Sequence, residues 1–356
     1  MRSSSGAHYV ALDHVRALAA FMVFAWHFTH AADGFPVPFD YTPAVFPLAL
    51  LDEGHTGVAL FMTLSGYLFA KLLDGSRVDY AAFLWNRALR LLPLLVVVVV
   101  AVGIKKAWLG ESLADYADAV VKGAVYPSLP NGAWSITVEM HYYLVLPLFL
   151  LLLRRSRYLP LVVVAAALAL RTGLWLQRGE VQIPAYWTLV GRIDQFAFGM
   201  MLYHFRGWFG RQLWVSVGAV LAFMAFYAWF DGVGGFYRYP AYPSSSVLWI
   251  VLPTLEGLGY GIAIATYDAR LRGADSWLSR VVARYGDYSY AIYLLHVFVV
   301  FQMARFVHEH VMSLSNFYVA CLWALLGFAL MGIPGYLSMR FIEMPFLRKR
   351  RRYVRA

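Results

Sequence analysis

Ionisable side chains inside apolar stretches are the residues of this chain whose types and spacing suit chemistry. Such groups are costly in a lipid-like setting and mark a pathway or a site by default. In LDHVRALAAFMVFAWHFTH, Arg16 and His27 stand eleven positions apart. At about 100° per residue that spacing turns roughly 1100°, about 20° from three full turns, so both share one helix face about 16 Å apart along the axis. A lone histidine there is as easily a packing residue; one aligned with an arginine is harder to dismiss. Glu139, in NGAWSITVEMHYYLVLP, enters its helix about one turn deep, and His141 is two residues on and points elsewhere. A carboxylate at that depth needs a partner across helices. His27 is the expected one, because a His–carboxylate pair fixes the imidazole tautomer and raises its basicity.

Three further groups are weaker alone. In FLWNRALRLLPLL, Arg87 and Arg90 are three apart on one helix face, with Pro93 a kink point. Their simplest role is anchoring at the membrane edge, while guanidinium forks equally suit a phosphate clamp. In DYSYAIYLLHVFVV, Ser289, Tyr293 and His296 follow an i, i+4, i+7 stripe, a spacing usual for packing. In GHTGVALFMTLSGYLFAKLL, Gly57, Ser65 and Gly66 are small enough for close helix packing. Ser65 has no adjacent base and is not read as a nucleophile.

The elements that must position these groups follow from composition. Of 356 residues, 61% are hydrophobic and 14% charged, and mean hydropathy is +0.60. A soluble domain is about half apolar and a quarter charged. With roughly 20 apolar residues per span, the chain gives ten spans, at about 9–31, 54–73, 83–103, 134–153, 158–177, 186–205, 212–231, 245–267, 286–307 and 316–341. The fold class is all-α, a polytopic integral membrane protein of about ten transmembrane helices. ESLADYADAVVKGAVYP, between the third and fourth spans, reads as a short interfacial helix. One domain over 9–345 is followed by a basic cytoplasmic tail at 346–356. The N-terminal run, interrupted by Asp13, His14 and Arg16, is a retained helix rather than a cleaved signal.

Basic residues in short loops favour the cytoplasm. With the N-terminus inside, that side holds Lys71, Arg77, Arg154, Arg155, Arg157, Arg206, Arg211, Arg270, Arg272, Arg280 and Arg284. The tail adds Arg348, Lys349, Arg350, Arg351, Arg352 and Arg355, while the other side holds only Lys105, Lys106, Lys122, Arg178 and Arg238. Both termini are therefore expected in the cytoplasm. The net charge of +10 is mainly topology, and no nucleic-acid partner is needed to explain it. The single cysteine, Cys321, excludes a disulfide framework and a cysteine-based zinc site.

Taken in order, these segments resemble the membrane-bound acyltransferase-3 family. The resemblance rests on Arg16-x10-His27, on LFMTLSGYLFAKLL, on Arg87-x-x-Arg90 and on WSITVE with Trp134, Ser135 and Glu139. SYAIYLLH, with Tyr293 and His296, and RFIEMPFLR, with Glu343 and Pro345, complete it. Each motif alone is weak; their order from Asp13 to Arg348 is specific. The resemblance implies ten transmembrane helices in a bacterial inner membrane. It also implies transfer of an acyl group, usually acetyl, from cytoplasmic acyl-CoA to a hydroxyl of an envelope polysaccharide, glycolipid or secreted metabolite.

On that reading Arg16 and His27 are the catalytic pair, with Glu139 orienting His27. Arg87, Arg90 and Arg16 hold the acyl-CoA phosphates, and Trp134, Ser135, Tyr293 and His296 line the pocket. No metal is expected. The extracytoplasmic hydrolase-like domain of some members is not expected here, which leaves room for a helper protein. Direct transfer and an acyl-histidine intermediate both remain open. Intramembrane Arg, His and Glu also suit a proton-coupled transporter of a sugar or small molecule, although no paired repeat is found. An inactive membrane scaffold is the third reading.

Overall fold

The structure, a computed structural model, describes residues 9–32, 34–271 and 276–355. Arg272, counted above among the cytoplasmic arginines, lies outside the described residues. Helix accounts for nearly all of it. The N-terminal half holds α1 (Val10–Thr29), α2 (Gly57–Leu73), α3 (Tyr80–Trp108), α4 (Leu113–Val125), α5 (Trp134–Arg155) and α6 (Pro160–Arg178). The C-terminal half holds α7 (Leu189–Arg211), α8 (Leu213–Gly232), α9 (Leu248–Arg270), α10 (Trp277–Leu295), α11 (Val300–Phe306) and α12 (Phe317–Leu330). Every expected span coincides with a helix, and the expected interfacial helix is α4, capped by Ser112 on the Asp115 amide.

Among the described residues seven helices are long and apolar enough to cross a membrane, and a bent pair makes eight. Outside that set stand α1 and α9's neighbour α7, of 20 and 23 residues. They are long enough, but α1 carries Asp13, Arg16 and His27, and α7 carries Arg192, Asp194 and Arg206. Chemistry has displaced hydropathy in these two. They also sit in the middle of the bundle: α7 packs most extensively on α9 and α2, and α1 on α10.

The molecule is apolar outside and polar within, as a bilayer demands. Val96, Val100 and Ile104 of α3, Leu144, Leu148 and Leu151 of α5, and Leu322, Leu325 and Leu326 of α12 are exposed. Arg171, Arg192, Asp194, Gln195 and Glu256 are buried. Each inner charge has a partner: Arg171 donates to both Asp194 oxygens at 2.9 and 2.6 Å, and Arg192 meets Glu256 at 3.3 Å. Gln195 and Tyr227 donate to the same Glu256 carboxylate, each at 2.8 Å.

Two glycines set the crossing of α2 and α7. A Cβ on Gly66 would stand 2.2 Å from the Phe196 carbonyl oxygen, and one on Gly199 would stand 2.0 Å from that of Thr63. The packing role read for Gly66 is what the structure shows, and Gly57 likewise abuts the Ala19 carbonyl of α1.

Two features depart from uniform spans. The ninth expected span is broken: Trp277–Phe298 and Val300–His310 meet at 58°, and a 3₁₀ turn, His296–Phe298, precedes the break. The expected basic tail is docked on the bundle. Its strand β2 (Val354–Arg355) pairs antiparallel with β1 (Arg77–Val78). Asn86 of α3 donates to the Arg351 carbonyl at 2.7 Å and accepts from the Arg351 amide at 2.9 Å. Tyr353 is buried against Phe83. Tyr9 and Tyr353 thus lie at the same end of the bundle, within each other's electrostatic reach.

Candidate active site

At that end a cavity of about 180 Å³ opens between α1, α2, α3, α5 and α10. Its lining includes Arg16, Arg87, Arg90 and Arg350, the carboxylates Asp13, Glu139 and Asp287, and Ser65, Ser135, Ser289, Tyr143 and Tyr293. The shared face of Arg16, the Arg87–Arg90 pair and the WSITVE segment are therefore brought together. Arg16 is held by Asp13, one turn earlier, at 2.5 Å. Arg90 is held by the fully buried Glu343 at 2.9 Å. Arg87 lies against Phe69 and Phe83, each ring centroid 5.6 Å from the guanidinium, and reaches the Tyr143 phenol.

Glu139 accepts from that same Tyr143 hydroxyl at 2.5 Å. Here the sequence reading needs correction. Among the described residues Glu139 and His27 share no hydrogen bond; Glu139 faces the arginine cavity. Depth along a helix axis follows from sequence, but azimuth is set by packing, and α5 turns Glu139 toward α3.

Ser135 and Tyr293 both line the cavity. Ser135 Oγ donates to Tyr293 Oη at 2.7 Å, and Tyr293 O–H donates to the Gly132 carbonyl at 2.8 Å. Trp134 turns away, edge-on to Trp187 at 4.5 Å and beneath the Arg192 guanidinium at 5.8 Å. One turn beyond Tyr293 lies His296, and this residue is the true neighbour of His27. Its Nε2 stands 3.4 Å from His27 Nδ1, with ring centroids 5.0 Å apart.

The tautomers follow from the carbonyls. A carbonyl only accepts, so His27 Nδ1, 2.8 Å from the Val23 oxygen, carries a proton. His296 Nδ1, 2.7 Å from the Tyr293 oxygen, carries one too. The bare Nε2 of His296 then faces the His27 N–H, and the bare Nε2 of His27 is left as a proton acceptor. The orienting task assigned to Glu139 is performed by Val23 and His296. His27 itself is only half-buried, whereas His296 is fully enclosed.

The spacing ranks the Ser289–Tyr293–His296 stripe below the Arg16–His27 and Glu139 sets, yet it runs from the cavity lining at Ser289 and Tyr293 to His296 beside His27. Tyr143 was legible as the i+4 neighbour of Glu139. Arg192 was legible as a cation inside a span; among the described residues its Nη2 has no hydrogen-bond partner. Arg350 was not legible, because its position depends on a strand pairing with residues far away in sequence.

The family model described as an acyltransferase domain, Acyl_transf_3, matches residues 9–333. The chain belongs to the acyltransferase-3 family. A relative from Komagataeibacter xylinus, carrying the name membrane-bound transacylase BcsY, is 28% identical over 186 residues, 45% of this chain and 47% of the relative. The chain thus spans about half the length of that relative. No solved structure matches.

Proposed function

We propose that this chain is a membrane acyltransferase that moves an acyl group, most simply acetyl, from cytoplasmic acyl-CoA to a hydroxyl of an envelope polysaccharide, glycolipid or secreted metabolite. The observation that carries the reading is how near an arginine-lined cavity lies to a histidine pair. Ser135 and Tyr293 line the cavity and bond to each other, and Tyr293 stands one helical turn from His296 and its contact with His27. Guanidinium groups are suited to phosphate oxygens, and a neutral imidazole with a bare nitrogen is suited to take a hydroxyl proton.

In this scheme the donor's phosphates sit among Arg16, Arg87 and Arg90, and its pantetheine arm runs inward past Ser135. His27 Nε2 takes the proton of the acceptor hydroxyl as the oxygen bonds to the acyl carbon. The carbon–sulfur bond breaks, and the thiolate leaves with the electron pair and is protonated from the imidazolium. Atoms and charge balance with no further reactant. The loop arginines support an orientation with the arginine end and both termini in the cytoplasm, and the reading sets the chain in a bacterial inner membrane. The acceptor, with or without a helper protein, then reaches His27 from the opposite face. There the aromatic side chains Trp26 and Tyr237 stack at 6.0 Å, a surface suited to a sugar ring.

The test compares ester-linked acetyl groups on envelope glycans and lipids from cells bearing the wild type or His27→Ala. A loss of transfer of about 10²-fold or more is expected, with the variant inserted and extracted intact. Normal transfer by His27→Ala would sink the mechanism. Uptake of a sugar by proteoliposomes without acyl-CoA would favour a transporter. Ping-pong kinetics would replace direct transfer with an acyl-histidine.

A further inference from the structure

The docked C-terminus changes the composition of the cavity. Arg350 lines it together with Arg16, Arg87 and Arg90. Burial, and then the fields of Arg90 and Arg87, push the Arg350 guanidinium down to about 10. Holding like charges together is unfavourable, and the fold opposes that cost with several bonds. The β1–β2 pairing, the two Asn86 bonds to Arg351, the Asp79 amide on the Tyr353 carbonyl at 2.8 Å and the burial of Tyr353 all fix this short segment.

The charge count shows what Arg350 adds. Asp13, Glu139 and Asp287 line the cavity, and Glu343 stands behind Arg90. Without Arg350, three guanidiniums around the cavity would meet four carboxylates, a balance that disfavours an anion inside it. With it the two are balanced, and a guanidinium, whose fork suits phosphate oxygens, is added to the lining.

We propose that residues 350–355 form a strap that completes the donor site, with Arg350 binding the phosphate-bearing nucleotide end of the acyl-CoA donor. This rests on the acyl-CoA reading above. The strap makes the cytoplasmic mouth a composite of α1, α3, α10 and the chain's own last strand.

The test uses the full-length protein in membranes, with initial rates measured for acetyl-CoA and for S-acetylpantetheine, which has the same thioester and no phosphate. Arg350→Gln should raise KM for acetyl-CoA at least tenfold, the scale of one charge-assisted hydrogen bond. It should leave kcat, and both constants for S-acetylpantetheine, unchanged. Asn86→Ala, which releases the strap from α3, should reproduce the same selective rise even if Arg350→Gln fails to fold. Arg155→Gln, exposed at the end of α5 and outside both strap and cavity lining, should behave as wild type. An equal KM rise for both donors, a fall in kcat alone, or no change in either variant would overturn the strap's role. Failure of the wild type to use acetyl-CoA would instead overturn the donor reading.

Discussion

His27 gets its orientation from a carbonyl four residues back, a local bond that any helix can supply, and this frees Glu139 for another task. Glu139 shares the Tyr143 hydroxyl with Arg87, so the carboxylate tunes the arginine end rather than the base. The two assignments differ in pH dependence. A carboxylate beside an imidazole stabilises its charged form, so its removal shifts the acid limb of the rate profile to lower pH. Glu139→Gln is therefore expected to lower kcat/KM about tenfold, the scale of a lost charged hydrogen bond, with the midpoint of the acid limb unmoved. A pH–rate profile from 4.5 to 8 measures both. A midpoint displaced to lower pH would return Glu139 to His27. Spacing along α1 brought Arg16 and His27 to light because one helix carries both. The His27–His296 pair escaped because it joins α1 to a helix more than 250 residues away.

At the scale of elements, the site depends on how closely the central helices approach. Gly66 and Gly199 face each other's helix across α2 and α7, each against a backbone carbonyl. Backbone cannot move aside as a side chain can, so Gly199→Ala must separate the helices. Overpacking of this kind costs about 1–3 kcal/mol. A lowered thermal midpoint in detergent is expected, together with reduced transfer, since α2 also carries Ser65 and Phe69 of the cavity wall. Gly218→Ala in α8, where nothing stands within 4 Å of an added Cβ, should leave both unchanged. Equal midpoints for the two variants would show that the crossing tolerates separation. Small residues in the second span were a legible packing signal. The break after His296 was not, since no proline or glycine marks it in LLHVFVV, and the docked strand depended on a long-range pairing.

The whole molecule has two unlike ends, and the one away from the arginines is held partly by protons. Ten apolar runs made the helical framework legible from sequence, because lipid imposes one simple rule on all of them. The loops at the histidine end obey no such rule, and their buried acids were not anticipated. Asp52, just ahead of the second span, is buried. Burial first, then Asp231 and Glu53, push its carboxyl well above the ordinary carboxylate range. Glu53 is pushed up to about 8 by burial, against the opposing pull of the Phe236 amide. A carboxyl raised on folding binds its proton more tightly in the native state. Stability is then fully present below the unfolded value near 4 and is lost as pH climbs toward the folded value. The thermal midpoint of the wild type in detergent should therefore fall between pH 7 and pH 9, above the range in which histidines of the unfolded chain titrate. Asp52→Asn keeps the neutral shape without a titratable proton, so its midpoint should fall less over the same range and exceed the wild type's at pH 9. Parallel slopes for the two proteins would mean that Asp52 is ionised in the folded state, and that the histidine end is held by packing alone.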